Sequence, residues 1–313
     1  MTRPALDPEL RELLAEMPLQ TELTPELLAQ LRQMPSTPVR TDAERQDVLL
    51  GDVALTVFRP KALEAPAPCV YWIHGGGMVM GDRFSQIDIP LEWLSELGVV
   101  VVTVDHRLAP EATGTTLVDD CYTGLLWTVE NAEALGVDAR RLVVAGISAG
   151  GGLAAGVALM ARDLGGPDIA AQILICPMLD HRNATTSSRQ YEGEPGVWTR
   201  EMNEFGWRSV LGDLAEVPAH VSPALATDLS GLPATYIDTG TAEVFRDEDV
   251  DYATRIWAAG GQAELHTWAG GFHGFDAIYP DARLSVAARR TRTEWLAHTL
   301  DGQRAHPVRH VGS

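Results

Sequence analysis

The chain has 313 residues, 45% of them hydrophobic and 21% charged, and its 43 acidic against 24 basic residues leave a formal net charge of −19. That composition supplies a sizeable core and excludes a disordered chain. The acidity argues against nucleic acid and anionic membrane surfaces, which favour basic patches, and no run of about 18 apolar residues is present to span a bilayer.

Residues 1–45 read as a separate helical segment. Asp7-Pro8 and Thr24-Pro25 each place a capping side chain before a first-turn proline. Leu10, Leu13, Leu14 and Met17 recur at helical spacing, as do Leu27, Leu28, Leu31 and Met34. Pro18 and Pro35 close the two helices. Both are amphipathic and short, so they must lie on something else.

From about residue 47 strands alternate with helices. Val53–Phe58, Val70–Ile73, Val99–Val104, Leu142–Ala145, Gln172–Cys176, Ala234–Asp238 and Ala263–Thr267 are the predicted strands, with helical stretches such as Val118–Ala134 and Asp247–Ala259 between them. Continuous Val/Ile/Leu runs suit a parallel sheet covered on both faces, so the pattern predicts an α/β fold with a mostly parallel, doubly wound sheet. Residues 182–222 interrupt the alternation with polar and aromatic residues and no strand signal. They are expected to be an insertion in a domain running from 46 to 313, and the N-terminal helices could pack on it as a helical cap. Ligands of such sheets gather at the carboxyl ends of the strands.

Gly146-Ile147-Ser148-Ala149-Gly150 stands at one of those ends. A G-x-S-x-G frame between strand and helix exposes a serine hydroxyl on a strained turn, which makes Ser148 a candidate nucleophile. Upstream, His74-Gly75-Gly76-Gly77 follows another strand. Its backbone N–H groups could hold an oxyanion together with the N–H of Ala149. A base should lie on a loop after a late strand, and His273, framed by Gly270-Gly271-Phe272 and Gly274, fits best. His266, His298, His306, His310, His106 and His181 are weaker rivals by position. The acid is ambiguous on position, because residues 238–249 hold five candidates: Asp238, Glu243, Asp247, Glu248 and Asp249. Asp238 is expected to end a strand, Asp247 to cap the next helix, and Glu243 to lie in the loop between.

Gly150-x-Gly152-x-x-Ala155 also fits a dinucleotide-binding fingerprint, but the acidic residue at the required distance, Asp168, precedes its strand instead of ending it. Close helix–strand packing explains these glycines better. Cys69, Cys121 and Cys176 form neither a disulfide framework nor a zinc pattern. No metal or cofactor is expected. The start, Met1-Thr2-Arg3-Pro4, lacks the apolar stretch of a secretion signal, so the expected location is cytoplasmic.

Together His74-Gly75-Gly76-Gly77, Asp105-His106-Arg107-Leu108-Ala109-Pro110-Glu111, Gly146-Ile147-Ser148-Ala149-Gly150-Gly151 and His273-Gly274-Phe275 resemble, in the same order, the bacterial hormone-sensitive-lipase-like esterases of the α/β-hydrolase fold. The resemblance covers about residues 45–300, and within that branch it is nearest to acetyl esterases and monoterpene ε-lactone hydrolases. It implies Ser148 as nucleophile, His273 as base, and an oxyanion hole from Gly75, Gly76, Gly77 and Ala149. The family's Asp-Pro-Leu-x-Asp-Glu-Gly stretch corresponds to Glu243-Val244-Phe245-Arg246-Asp247-Glu248-Asp249, which selects Glu243 as acid in place of the usual aspartate. Ile147 and His106 depart from the family's frequent Asp and Tyr, and residues 112–117 lack its usual proline and phenylalanine.

The expected activity is a serine carboxylesterase acting on small-molecule short-chain esters or lactones. Two alternatives stay open: an amide or formamide hydrolase with the same triad, and a non-catalytic small-ligand receptor. The receptors that resemble this family have lost the catalytic histidine, whereas His273 is present. Association into a homodimer through a sheet edge also stays open.

Overall fold

A computed structural model describes residues 1–305 apart from 35, 37, 38, 64 and 65. Pro35, His306 and His310 therefore lie outside the described residues. Among those described, one sheet contains β1 (Glu44–Leu50), β2 (Val53–Arg59), β3 (Ala67–Ile73), β4 (Val100–Asp105), β5 (Val137–Ile147), β6 (Ala171–Ile175), β7 (Ala234–Gly240) and β8 (Ala263–Trp268). Their spatial order is β1-β2-β4-β3-β5-β6-β7-β8. The β1–β2 and β2–β4 pairs are antiparallel and all the others parallel.

Both faces of the central strands are covered, which is why they read as unbroken apolar runs. Cys69, Tyr71 and Ile73 of β3, Val100, Val102 and Val104 of β4, and Leu142 and Val144 of β5 enter one core. Their alternates Val70, Trp72, Val101, Val143 and Ala145 enter the core on the opposite face. Alternate side chains of a strand point to opposite faces, so two cores require two interleaved apolar sets.

β1 escapes sequence reading. Its Glu44-Arg45-Gln46-Asp47 half is exposed, and it pairs on one side only, as an edge strand. A local signal exists: Leu50 and Val53 are paired across Gly51-Asp52, a two-residue hairpin turn with Gly51 at φ 62°.

The helices are α1 (Pro8–Leu14), α2 (Pro25–Leu31), α3 (Asp88–Leu97), α4 (Thr116–Glu130), α5 (Ala132–Leu135), α6 (Ala149–Asp163), α7 (Thr186–Gln190), α8 (Arg200–Leu211), α9 (Arg246–Ala258), α10 (Phe275–Ile278) and α11 (Arg283–Ala305). Asp7 caps α1 through the N–H groups of Glu9 and Leu10, and Thr24 caps α2 through Leu27. Two expectations need correction. Asp238 does not end its strand; β7 continues to Gly240, and the Asp238 carboxylate is buried against Arg292 at 2.8 Å. Asp247 does not cap α9. It lies inside the first turn and accepts the Ser187 N–H at 2.7 Å, tying α7 to α9.

α6 packs closely behind the elbow because its inner face is nearly bare. A Cβ on Gly152 would stand 2.1 Å from Met178 O, and one on Gly156 would stand 2.2 Å from His220 O.

Candidate active site

β5 ends at Ile147 and α6 begins at Ala149, so Ser148 alone makes the turn, at φ 57° and ψ −122°. A non-glycine residue there is strained, and its surroundings must hold it. Three bonds do so: Ser148 N–H donates to Ile175 O at 2.8 Å, and the N–H groups of Met178 and Gly152 donate to Ser148 O at 2.9 and 3.1 Å. The flanking glycines are required by space. A Cβ on Gly146 would meet Gly150 O at 2.2 Å, and one on Gly150 would meet Ile73 O at 2.1 Å.

His273 reaches the same point from the segment between β8 and α10, with Phe245 edge-on to its ring at 5.1 Å. Its Nε2 lies 2.9 Å from Ser148 Oγ, and its Nδ1 lies 3.0 Å from Glu243 Oε2. Glu243 stands between β7 and α9, and its carboxylate is 0% exposed. Oε2 also accepts the Phe245 N–H at 3.1 Å, and Oε1 accepts from the Thr239 hydroxyl. An ionised carboxylate can only accept, so Nδ1 carries the proton and Nε2 is left to accept from the serine. The arrangement can take the Ser148 proton and steady the imidazolium that results.

The glycine loop needs one correction. Gly75 N–H is not directed to an oxyanion, because it donates to Gln86 Oε1 at 3.1 Å. The N–H groups of Gly76, Gly77 and Ala149 have no protein acceptor among the described residues. Gly76 and Gly77 sit at φ 118° and 61°, and a Cβ on Gly77 would enter the Trp198 ring at 2.3 Å. Two cavities meet at His273 and Trp198. One, of about 160 Å³, is lined by the glycine loop, Met80, Gln86, Ser148 and Ile278. The other, of about 220 Å³, lies under Arg3, Leu6, Leu14, Leu19 and Tyr191.

The rival residues lie elsewhere. His106 is buried, stacked on His74 with ring centroids 4.4 Å apart. His181 is bonded to Ser222 Oγ at 3.0 Å, His266 faces Glu264 from β8, and His298 lies in α11. Asp238 and Asp276 both accept from the buried Arg292, at 2.8 and 3.0 Å. Glu248 accepts the N–H groups of Leu179 and Asp180. Asp249 is buried beside Thr239, and burial pushes both the Glu248 and the Asp249 carboxyl well up. Thr239, Gln86 and Trp198 carried no sequence signal for the site, because each acts through a fold contact and not through a motif.

The sheet order, the strained serine turn and the glycine loop beside it define an α/β hydrolase. A family model described as alpha/beta hydrolase fold matches residues 70–277. The chain belongs to that family, in its hormone-sensitive-lipase-like branch, and is a carboxylic ester hydrolase. It is similar to esterase LipI of Mycobacterium tuberculosis, 31% identical with 90% of this chain and 92% of the relative covered. Carboxylesterase NlhH of the same species is 32% identical, with 90% and 93% covered. Among solved structures, a bacterial heroin esterase superposes with a TM-score of 0.86 at 35% identity, covering 95% of this chain and 98% of that one.

Proposed function

We propose that the protein is a serine carboxylesterase that cleaves short-chain acyl esters or lactones through an acyl-enzyme. The observation that carries this reading is the unbroken series Ser148 Oγ, His273 Nε2, His273 Nδ1 and Glu243 Oε2, with contacts of 2.9 and 3.0 Å, beside N–H groups that have no protein acceptor among the described residues. His273 takes the Ser148 proton as Oγ attacks the ester carbonyl, and Gly76, Gly77 and Ala149 N–H receive the oxyanion. The same imidazole then protonates the leaving alcohol and activates the water that frees the acid. Support for short acyl groups comes from the size of the two cavities, about 160 and 220 Å³.

Residues 1–45 and 182–222 serve in this reading as a cap over the carboxyl ends of the strands. Arg3 supports it, since its guanidinium donates to Gln190 O, Glu194 O and Pro195 O and lies over the Tyr191 ring. No helix among the described residues is long and apolar enough to cross a membrane. The three cysteines are buried and unpaired, which favours the reducing cytoplasm as the site of action.

The test is hydrolysis of p-nitrophenyl acetate, butyrate and octanoate, and of a medium-ring lactone, by wild type and Ser148→Ala. Loss of roughly 10³-fold or more in kcat is expected, with turnover of the acetate and butyrate exceeding that of the octanoate. Equal rates from both proteins would remove Ser148 as nucleophile.

A further inference from the structure

We infer that Gln86 is the positioning residue of the oxyanion loop: its side-chain carbonyl fixes the Gly75 peptide so that the Gly76 and Gly77 N–H groups stay directed at the reacting carbonyl. The inference rests on the serine reading above and extends it to a residue outside the motif.

The loop is held group by group. His74 Nδ1 lies 2.7 Å from Gly75 O, and the N–H groups of Val79 and Met80 donate to Gly76 O at 3.1 and 3.0 Å. Those bonds come from residues 74–80 themselves. Gly75 N–H is held from outside, by Gln86 Oε1 at 3.1 Å. Gly75 also lies directly on the elbow, where a Cβ would stand 3.3 Å from Ser148 Cβ and 3.0 Å from Ile147 O. The orientation of this peptide therefore sets how the two halves of the hole meet.

Gln86 is itself placed at some cost. Its φ is 52°, uncommon for a residue with a side chain. The turn that delivers it is pinned: Asp82 accepts the Phe84 N–H at 2.8 Å through its carboxylate and the Ser85 N–H at 2.9 Å through its carbonyl. Ile87, next in the chain, is buried, and Ile89 N–H donates to Gln86 O at the start of α3. The Gln86 side chain lines the 160 Å³ cavity beside Ser148. Gly75 is buried, so without the Gln86 carbonyl its N–H would have no acceptor. A buried donor without a partner is costly, and a shift of Gly75 toward another acceptor would displace the following peptide, which carries the Gly76 N–H, relative to the elbow.

Gln86→Leu keeps the bulk and removes the acceptor. Gln86→Asn keeps the amide but shortens its reach by one methylene. Each is compared with wild type and Ser148→Ala on p-nitrophenyl acetate, with inhibition by a small trifluoromethyl ketone, whose serine adduct carries an oxyanion, and with thermal unfolding. Both variants are expected to lose about tenfold to a hundredfold in kcat, less than the roughly 10²–10³ that follows outright loss of a hole donor. KM should stay within about threefold, and the ketone's inhibition constant should rise by the same factor as kcat/KM falls. A purely structural role would lower the unfolding midpoint without separating kcat from KM. If Gln86→Leu does not fold, the Asn variant decides by the same readouts. Wild-type kcat and ketone affinity in a folded variant, with Ser148→Ala inactive, would overturn the role of Gln86 and leave the serine mechanism standing. An active Ser148→Ala would overturn both.

Discussion

A glutamate in the acid position has one more rotatable bond than an aspartate, and Glu243 compensates with three contacts. His273 Nδ1, the Phe245 N–H and the Thr239 hydroxyl converge on its two oxygens in a fully buried site. Glu243→Asp withdraws the carboxylate by about 1.5 Å, one C–C bond, so it cannot keep all three. We expect a loss of about tenfold to a hundredfold in kcat. Glu243→Gln can keep an oxygen toward Nδ1 and turn its amide nitrogen to Thr239, which preserves the tautomer but removes the charge opposite the imidazolium. A loss between about 10² and 10⁴ follows, larger than for the aspartate variant. Steady-state kcat on p-nitrophenyl butyrate checks the order. Ser148 and His273 were legible because a strained turn and a sheet-edge loop leave glycine in the sequence around them. Gln86 was not, since a glutamine accepting one backbone N–H eleven residues away leaves no such trace. The same contact removes Gly75 from the donors that the motif suggested.

Among the elements, α6 shows how space can outweigh propensity. Replacing a helical glycine by alanine should gain about 1 kcal/mol. At Gly156 the new methyl would stand 2.2 Å from the His220 carbonyl oxygen, a backbone atom with little room to move. Overpacking of that kind costs roughly 1–3 kcal/mol or more, so Gly156→Ala is expected to destabilise the fold despite its better propensity. At Gly302, in the last turns of α11, a Cβ meets nothing within 4 Å among the described residues, and Gly302→Ala should gain a few tenths to about 1 kcal/mol. Urea midpoints of the two variants should move in opposite directions. The glycines of α6 were legible as packing glycines because the fingerprint reading failed at Asp168. The parallel strands were legible because burial on both faces leaves unbroken apolar runs. β1 was not, because an exposed edge strand needs no apolar residue in its outer half.

For the molecule as a whole, buried titrating groups of opposite sign act on stability against pH. His74 and His106 are stacked in the interior with their Nδ1 atoms against backbone carbonyls and their Nε2 atoms unpartnered among the described residues. Burial holds both imidazoles neutral, lowering His74 and taking His106 to about 3. Below the unfolded value near 6.5 the unfolded chain binds protons that the folded one excludes, so these histidines make stability fall as pH falls. Burial of Glu248 and Asp249 works the other way. Their folded values are raised, so above about 4.5 the unfolded chain releases protons that the folded one retains, and stability rises as pH falls toward that value. Between pH 6.5 and 4.5 the two pairs oppose each other. Relief of repulsion within a chain of net charge −19 adds a slope common to wild type and variants. His106→Phe keeps a stacked ring and removes one of the opposing titrations. Whatever its offset in absolute stability, its unfolding free energy relative to wild type should climb as pH falls below about 6.5, with a slope that steepens toward about 1.4 kcal/mol per pH unit by about pH 5.5 and below. Urea unfolding at four or five pH values measures that slope. A constant difference would mean that His106 takes up its proton in the folded state, which burial of the stack disfavours more than the nearby Asp105 and Asp120 carboxylates favour it.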